Sequence, residues 1–358
     1  MNRDIVIAGK ISLAHGTMDK ITLESSNGSI WIKATGVLTN EASGQGGGNF
    51  LLTAASDIIM EGSILASGRS GAPEGWSVDI TPGGVAGNAW VTGSIVTSGA
   101  DNNGTGPGGN AGGISIVSIN DAMVDATLSS NGGAGSAGTG GNANAIKINA
   151  GNNVSGSGDL LATGIFNAKG GASTGGNGGT GGEIELYNNS PDPGMLMEVD
   201  AVLGVSGGNA TGAGTSGGAG GVVNITQDSG PINFTGSIDV RGGQGEAAGG
   251  SGGDLNADVD VSGEGLNFKG ITALRAVGGT GDTGGAGHPA NAVTLRTNVG
   301  GDIAISSDIH ADGGNGVATG GDGGRIGYSS FTYVFTGDVT YSGGTGATAG
   351  TVGVFELF

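Results

Sequence analysis

The feature that most limits what this chain can fold into is a unit that returns every thirty-odd residues. A short run alternates apolar and polar residues, a loop made mostly of glycine follows, and a second alternating run closes the unit. Gly236 to Gly263, GSIDVRGGQGEAAGGSGGDLNADVDVSG, shows it whole, with Ile238-Asp239-Val240-Arg241 before the loop and Val259-Asp260-Val261 after it. The loops begin at Gly68, Gly99, Gly132, Gly170, Gly207, Gly242, Gly278, Gly313 and Gly343. Four residues before each stands Ile64, Ile95, Leu128, Phe166, Leu203, Ile238, Leu274, Ile309 or Val339, all large and apolar. Period two with the same row recurring once per unit predicts short strands that stack, each residue over its counterpart in the unit before.

Glycine supplies 85 of 358 residues, which leaves collagen, disorder or a repeat array as explanations. Proline is only 7 and glycine does not recur at every third position throughout, so collagen is excluded. Regular return of Val, Ile, Leu and Phe argues against disorder. The repeat array remains, and it is read as all-β.

After each loop a second strand is expected, with inward pairs Ile114/Ile116, Ile146/Ile148, Ile184/Leu186, Val223/Ile225, Val259/Val261, Val293/Leu295 and Val352/Val354. A third is clearest late in the chain, at Ile232/Phe234, Leu266/Phe268, Ile303/Ile305 and Tyr333/Phe335. Three short strands per period predict a single parallel β-helix of about ten or eleven coils, roughly 50 Å long. One solenoid is expected over residues 1–358: less regular first coils at 1–56, regular glycine-loop coils at 57–331, and an uncapped last coil at 332–358. The loops carry their own period of three, as in Gly175-Gly176-Asn177-Gly178-Gly179-Thr180-Gly181-Gly182. That predicts extended, polyglycine-II-like segments stacked along one edge instead of free loops.

Composition narrows function. With 12 basic and 31 acidic side chains, net charge −19, neither nucleic acid nor an anionic membrane is an expected partner. No apolar stretch reaches membrane-spanning length, so no membrane insertion is expected, and residues 1 to 20 lack the pattern of a signal peptide. Cysteine is absent, which removes disulfides and thiolate metal sites. G-x-G-x-x-G strings occur here by composition alone, and no G-K-[ST] follows any of them.

No cofactor or metal site is predicted. Asp254, Asp258, Asp260, Asp282, Asp312 and Asp322 lie in or beside glycine loops but do not iterate at the nine-residue spacing of calcium solenoids, so they read as solvated acids. His15 and His288 have no partner at metal-ligand spacing, and Trp31, Trp76 and Trp90 are expected to fill the early core. The catalytic alternative is an outward face carrying Asp239, Arg241, Arg275, His310 and Asp312 on successive coils, where an acid pair could act on a glycosidic bond. Alternating charges on neighbouring coils are equally a surface ion-pair ladder.

Both ends look open: Ile5-Val6-Ile7 at one, and at the other Val352, Val354, Phe355, Leu357 and Phe358 in an apolar strand. Matched open ends predict head-to-tail association of identical copies into a filament, the rival being excision from a longer solenoid.

Gly62-Ser63-Ile64-Leu65-Ala66-Ser67-Gly68, Gly93-Ser94-Ile95-Val96-Thr97-Ser98-Gly99 and Asn27-Gly28-Ser29-Ile30-Trp31-Ile32 resemble the repeats of filamentous-haemagglutinin-like and autotransporter-type surface adhesins. The resemblance implies a right-handed parallel β-helix, export to the cell surface, and a role in adhesion, biofilm or fibre formation. An Asn-Pro-Asn-Gly-type secretion motif does not occur. The expected function is thus a non-enzymatic extracellular structural or adhesive protein. The alternatives are a polysaccharide lyase or hydrolase, and an adhesin that holds cell-surface glycans through its glycine loops.

Overall fold

A strand of three to six alternating residues buries too little surface to stand alone and needs a like strand on each side. The computed structural model describes residues 4–12, 20–41, 47–71, 73–84, 87–151, 158–192, 194–269, 274–282 and 293–357. Among them there is no helix, and the strands pair in parallel with their counterparts one unit earlier and one unit later. One sheet is a ladder of 11 strands, running from Lys20–Ser25 and Asn49–Ala54 to Arg325–Ser329 and Val354–Leu357. The other has 19 strands and consists of two ladders side by side, because Ala122–Ser129, Leu160–Asn167 and Met197–Gly204 run straight through both.

In other coils whose corner is among the described residues, a small residue divides those two ladders. Gly236 follows Ile232–Phe234 and precedes Ser237–Asp239, and a Cβ there would lie 1.8 Å from the Ala201 carbonyl oxygen of the coil below. Only glycine lets the backbone turn that close to its neighbour.

Register places like over like. Ile238 lies on Leu203 and under Leu274, which is followed by Ile309 and Val339. Ile114, Ile146, Ile184 and Val223 form a second column, and Ile232, Leu266, Ile303 and Tyr333 a third. Apart from the half-buried Val339 and the exposed Tyr333 of the last rung, these residues are buried. The irregular first section follows the same rule: Ile5 lies under Ile30 and Ile7 under Ile32, while Leu13 falls outside the described residues.

Two expected pairs are displaced. Leu255 and Ala257 occupy the places over Val223 and Ile225; Val259 is buried two residues on, at the strand end, and Val261 lies beyond it. An alanine in the middle of the run weakens the apolar signal and shifts the apparent pair four residues late. In the last coil Phe355 and Leu357 stand over Ile326 and Tyr328, and Val354 stands over Arg325 on the outward face. Val352 and Val354 are therefore exposed and not core.

The glycine loops leave and return as two limbs. In the outgoing limb every third N–H donates to the next coil: Gly170 N to Ser206 O at 3.0 Å and Ser173 N to Asn209 O at 2.8 Å. The returning limb does the same, Gly178 N to Ser216 O and Gly181 N to Ala219 O, both at 2.9 Å. Between these, N–H groups cross from limb to limb in a zigzag: Gly171 to Gly141, Gly179 to Gly171, Gly208 to Gly179, Gly218 to Gly208. A Cβ on Gly179, Gly208 or Gly218 would stand 1.9 Å from a carbonyl oxygen of the preceding coil.

Gly208→Ala should therefore cost about 1–3 kcal/mol through overpacking, whereas Gly9→Ala, with nothing within 4 Å of the added carbon, should stay within about 0.5 kcal/mol. Leu274→Ala, which opens a void in a buried column, should cost about 2–5 kcal/mol. Urea unfolding measures all three, and equal effects at Gly208 and Gly9 would show that the limbs do not pack.

Candidate functional site

The outward row named from the sequence exists. Asp239, Arg275, His310 and Thr340 occupy successive rungs of one ladder. Their chemistry is turned toward each other. Arg241 grips Asp239 through two bonds, Nε to Oδ1 and NH2 to Oδ2, each 2.8 Å. Burial pushes the Asp239 carboxyl up, and the Arg241 bonds more than offset this, leaving it below the usual carboxylate range. On the rung of His310, Nδ1 lies 2.8 Å from Thr340 Oγ1, and that hydroxyl donates to Asp312 Oδ2 at 2.5 Å. Asp312 Oδ1 accepts from the Ser342 N–H at 2.7 Å. Asp239 and Asp312 belong to rungs two apart, about 10 Å along the stack. Two carboxyls that share one glycosidic bond stand about 5–9.5 Å apart. The Asp239–Arg241 ion pair lies within one coil and does not reach across to Arg275, and the 3.8 Å contact of His310 Nδ1 with Asp312 Oδ2, an ion pair only with His310 protonated, also lies within one coil.

The loop acids are not simply solvated, as the sequence suggests. Asp322 Oδ1 accepts from both the N–H and the hydroxyl of Thr351, at 2.7 and 2.8 Å, and these bonds hold its carboxyl below the ordinary range. Asp101 Oδ1 accepts from Ala134 N, and Asn209 Oδ1 from Gln244 N. Before the first ladder the same device runs through four successive coils: Asp57 to Asn88, Asn88 to Asp121, Asp121 to Asp159, Asp159 to Leu196. Each side-chain oxygen meets a backbone N–H of the coil above. No group of three or more His, Asp or Glu among the described residues could hold a metal ion. His15, His288 and Phe358 fall outside those residues.

Three features escaped the sequence reading. The first is a carboxylate group at the C-terminal ends of middle strands of the 11-stranded sheet, where the Tyr187 hydroxyl donates to Asp228 Oδ2 at 2.9 Å on the next rung. Burial raises the Asp228 and Asp258 carboxyls, and the charge of Asp260 raises both further. Tyr187 is pushed up to about 12, first by burial and then by its bond to Asp228. The second is a recess of about 560 Å³ at the loop tips, lined by Asn209, Gln244, Glu246, Thr280, Asp282 and Asn315 among others.

The third is the position of the tryptophans. Trp76 is buried against Phe50, as expected, with ring centroids 5.5 Å apart. Trp31 and Trp90 are not in the core: they point outward and are 38% and 37% exposed. The signal was present, since each stands between two inward residues, in Ile30-Trp31-Ile32 and Ala89-Trp90-Val91.

At the two ends, the described first and last rungs pair on one side only. Ile7 is buried, Ile5 and Phe355 are half-buried, and Val6, Val352, Val354 and Leu357 are exposed. Tyr328, Tyr333, Phe335 and Phe355 cluster on the last rungs with centroids 4.5–5.8 Å apart.

These parallel sheets, stacked in register through an all-β chain, define an arrangement consistent with a β-solenoid. Compared with family models, curated proteins and solved structures, the chain matches none.

Because its folded pKa is depressed, Asp239 contributes stability above the ordinary Asp value, about 3.9, and loses it as pH falls through the lower folded value. Asp239→Asn should then melt below the wild type at pH 7, with the gap closing as pH falls through that lower folded value. Asp228 has the opposite sign: its raised pKa means that ionisation works against the fold, so Asp228→Asn should gain on the wild type as pH rises through that value. Thermal unfolding from pH 2 to pH 7 checks both, and parallel profiles for the two variants would refute the assignment.

Proposed function

We propose that this chain is a non-enzymatic structural and adhesive protein of the cell exterior. It is a right-handed parallel β-helix, the hand that parallel crossovers take, with its glycine limbs stacked as a polyglycine-II-like sheaf. The three-residue period of the limb bonds and their zigzag between limbs support the sheaf. Eleven rungs at about 4.8 Å make a body near 50 Å long.

The observation that carries the functional reading is where the polar groups are used. Asp239, Asp312, Asp322 and the acids before the first ladder bond to residues of their own or the adjoining coil, which stiffens a rod and engages these acids within the chain. An exterior location rests on the resemblance to surface adhesins. The assembly mode in this reading is head to tail: a second copy of this chain can pair with the strand edges and cover the apolar cross-sections of the described first and last rungs.

Electron microscopy of concentrated protein should show rods whose lengths are multiples of one body, and Phe355→Asp, which puts a charge into the junction, should leave single bodies. Monomers of the wild type at every concentration would remove head-to-tail assembly. Asp239→Ala with Asp312→Ala should change no polysaccharide turnover, and loss of a measurable wild-type turnover in that variant would replace the structural reading by an enzymatic one.

A further inference from the structure

The outward residues of the first ladder form a row that the core does not use and that the end-to-end contact meets only at its first member, Val6. Register stacks Val6, Trp31, Ile59, Trp90, Met123 and Leu161 on six consecutive rungs. Val6 is 52% exposed, and the rest of the row is half-buried to exposed. On a flat parallel sheet this is a straight apolar rail about 24 Å long. It is bordered on both sides by polar residues two places along each strand: Asp57, Asn88 and Asp121 on one side, Lys33, Glu61 and Thr92 on the other. Trp31 Nε1 donates to Glu61 Oε2 at 3.2 Å, and Lys33 Nζ lies 4.9 Å from the Trp31 ring centroid.

We infer that this rail is a binding surface for a neutral, β-1,4-linked polysaccharide laid along the solenoid axis. A pyranose ring has two apolar C–H faces and a rim of hydroxyls, and it needs an aromatic face beneath and hydrogen-bonding groups at the side. The rail has that cross-section. Trp31 and Trp90 stand two rungs apart, about 10 Å, close to the length of two rings in an extended β-linked chain, so the two indoles fall in step with equivalent rings of one strand, the Trp31 face being available to its ring when the Lys33 side chain that lies over it swings aside. Ile59 between them, then Met123 and Leu161, continue the apolar track.

Charge selects this occupant over the others. A chain of net charge −19 with carboxylates beside the rail repels anionic polysaccharide, nucleic acid and anionic lipid. Two rails from two copies would bring the acidic border residues Asp57, Asp121 and Glu61 together with Lys33 as the one cation among these border residues, which disfavours lateral self-pairing. A neutral glycan meets neither obstacle, and its hydroxyls can use the same carboxylates as acceptors. The inference rests on the solenoid reading, because only a constant rise between rungs keeps the two indoles in step with a polymer.

The test uses the whole chain with cellohexaose and chitohexaose as probes, followed by tryptophan fluorescence and calorimetry, and by retention on insoluble cellulose and chitin. Binding to at least one probe is expected. Trp31→Ala or Trp90→Ala should each weaken it at least tenfold, the double variant should abolish it, and Trp31→Phe should retain most of it. Dextran, polygalacturonate and phosphatidylserine vesicles should not bind. Circular dichroism and unfolding of each variant separate loss of the rail from loss of the fold. A wild type with a β-sheet spectrum that binds neither probe overturns the rail and leaves the solenoid standing, whereas a wild type without that spectrum overturns both. Binding indifferent to both tryptophans, binding to the vesicles instead, or dimers that dissociate when Trp31 and Trp90 are replaced would each overturn the assignment.

Discussion

The hydrogen bond from each backbone N–H to the equivalent carbonyl one coil away is the interaction on which the rest depends. Parallel pairing in fixed register is what brings Ile238, Leu274 and Ile309 into one column, and a slip of one residue would turn every inward side chain out. The loops extend the same rule into a region with no core. With few side chains to bury, the limbs hold together mainly by backbone bonds, and those bonds form because glycine lets two backbones approach until an added carbon would sit within 2 Å of a carbonyl oxygen. Core and loop are thus two answers to one demand, that every buried backbone donor find a partner.

How much of this was legible depended on how often a signal repeats. The pre-loop column was readable because a large apolar residue precedes every loop by four places, and the structure keeps all nine of those positions in a single ladder. The post-loop strand was misplaced in two coils: in one Ala257 stands where most others carry Ile or Leu and the eye moves on to Val259 and Val261, and in the last Val352 and Val354 mask the inward pair Phe355 and Leu357. Trp31 and Trp90 were misplaced for a different reason. Size argued for the core and alternation argued for the surface, and alternation, which obeys the pleat, was the stronger physical constraint. Of the candidate site, the row Asp239, Arg275 and His310 could be read from spacing, but the bonds from Arg241 and Thr340 that occupy its acids could not. Rotamers decide those contacts, and periodicity carries no rotamer information.

The acids show how a strongly negative chain can stack at short spacing. Parallel rows place identical positions about 4.8 Å apart, so a row of carboxylates would repel itself. Here a carboxylate oxygen commonly faces a backbone N–H of the next coil, as from Asp121 to Asp159 and from Asp159 to Leu196, and the dipole of that N–H opposes the repulsion. At Asp228 and Asp258, burial first and then the charge of Asp260 instead push the carboxyls up.

A uniform core also permits an uneven surface. Along the first ladder the outward position is apolar from Val6 to Leu161 and then becomes Glu198, Asn233 and Asn267, with Asn267 donating to Asn233 at 3.3 Å. The inward residues beside it do not change in kind: Ile58, Leu160, Met197, Ile232 and Leu266 are all buried and apolar. Since each rung is stabilised only by its neighbours, the outward residue of any coil is free to vary without disturbing coils farther away. Early coils can therefore carry an apolar rail and later coils an amide ladder on the same straight face. In such an architecture specificity belongs to rows and not to pockets, and a ligand that reads a row must itself be long, straight and periodic.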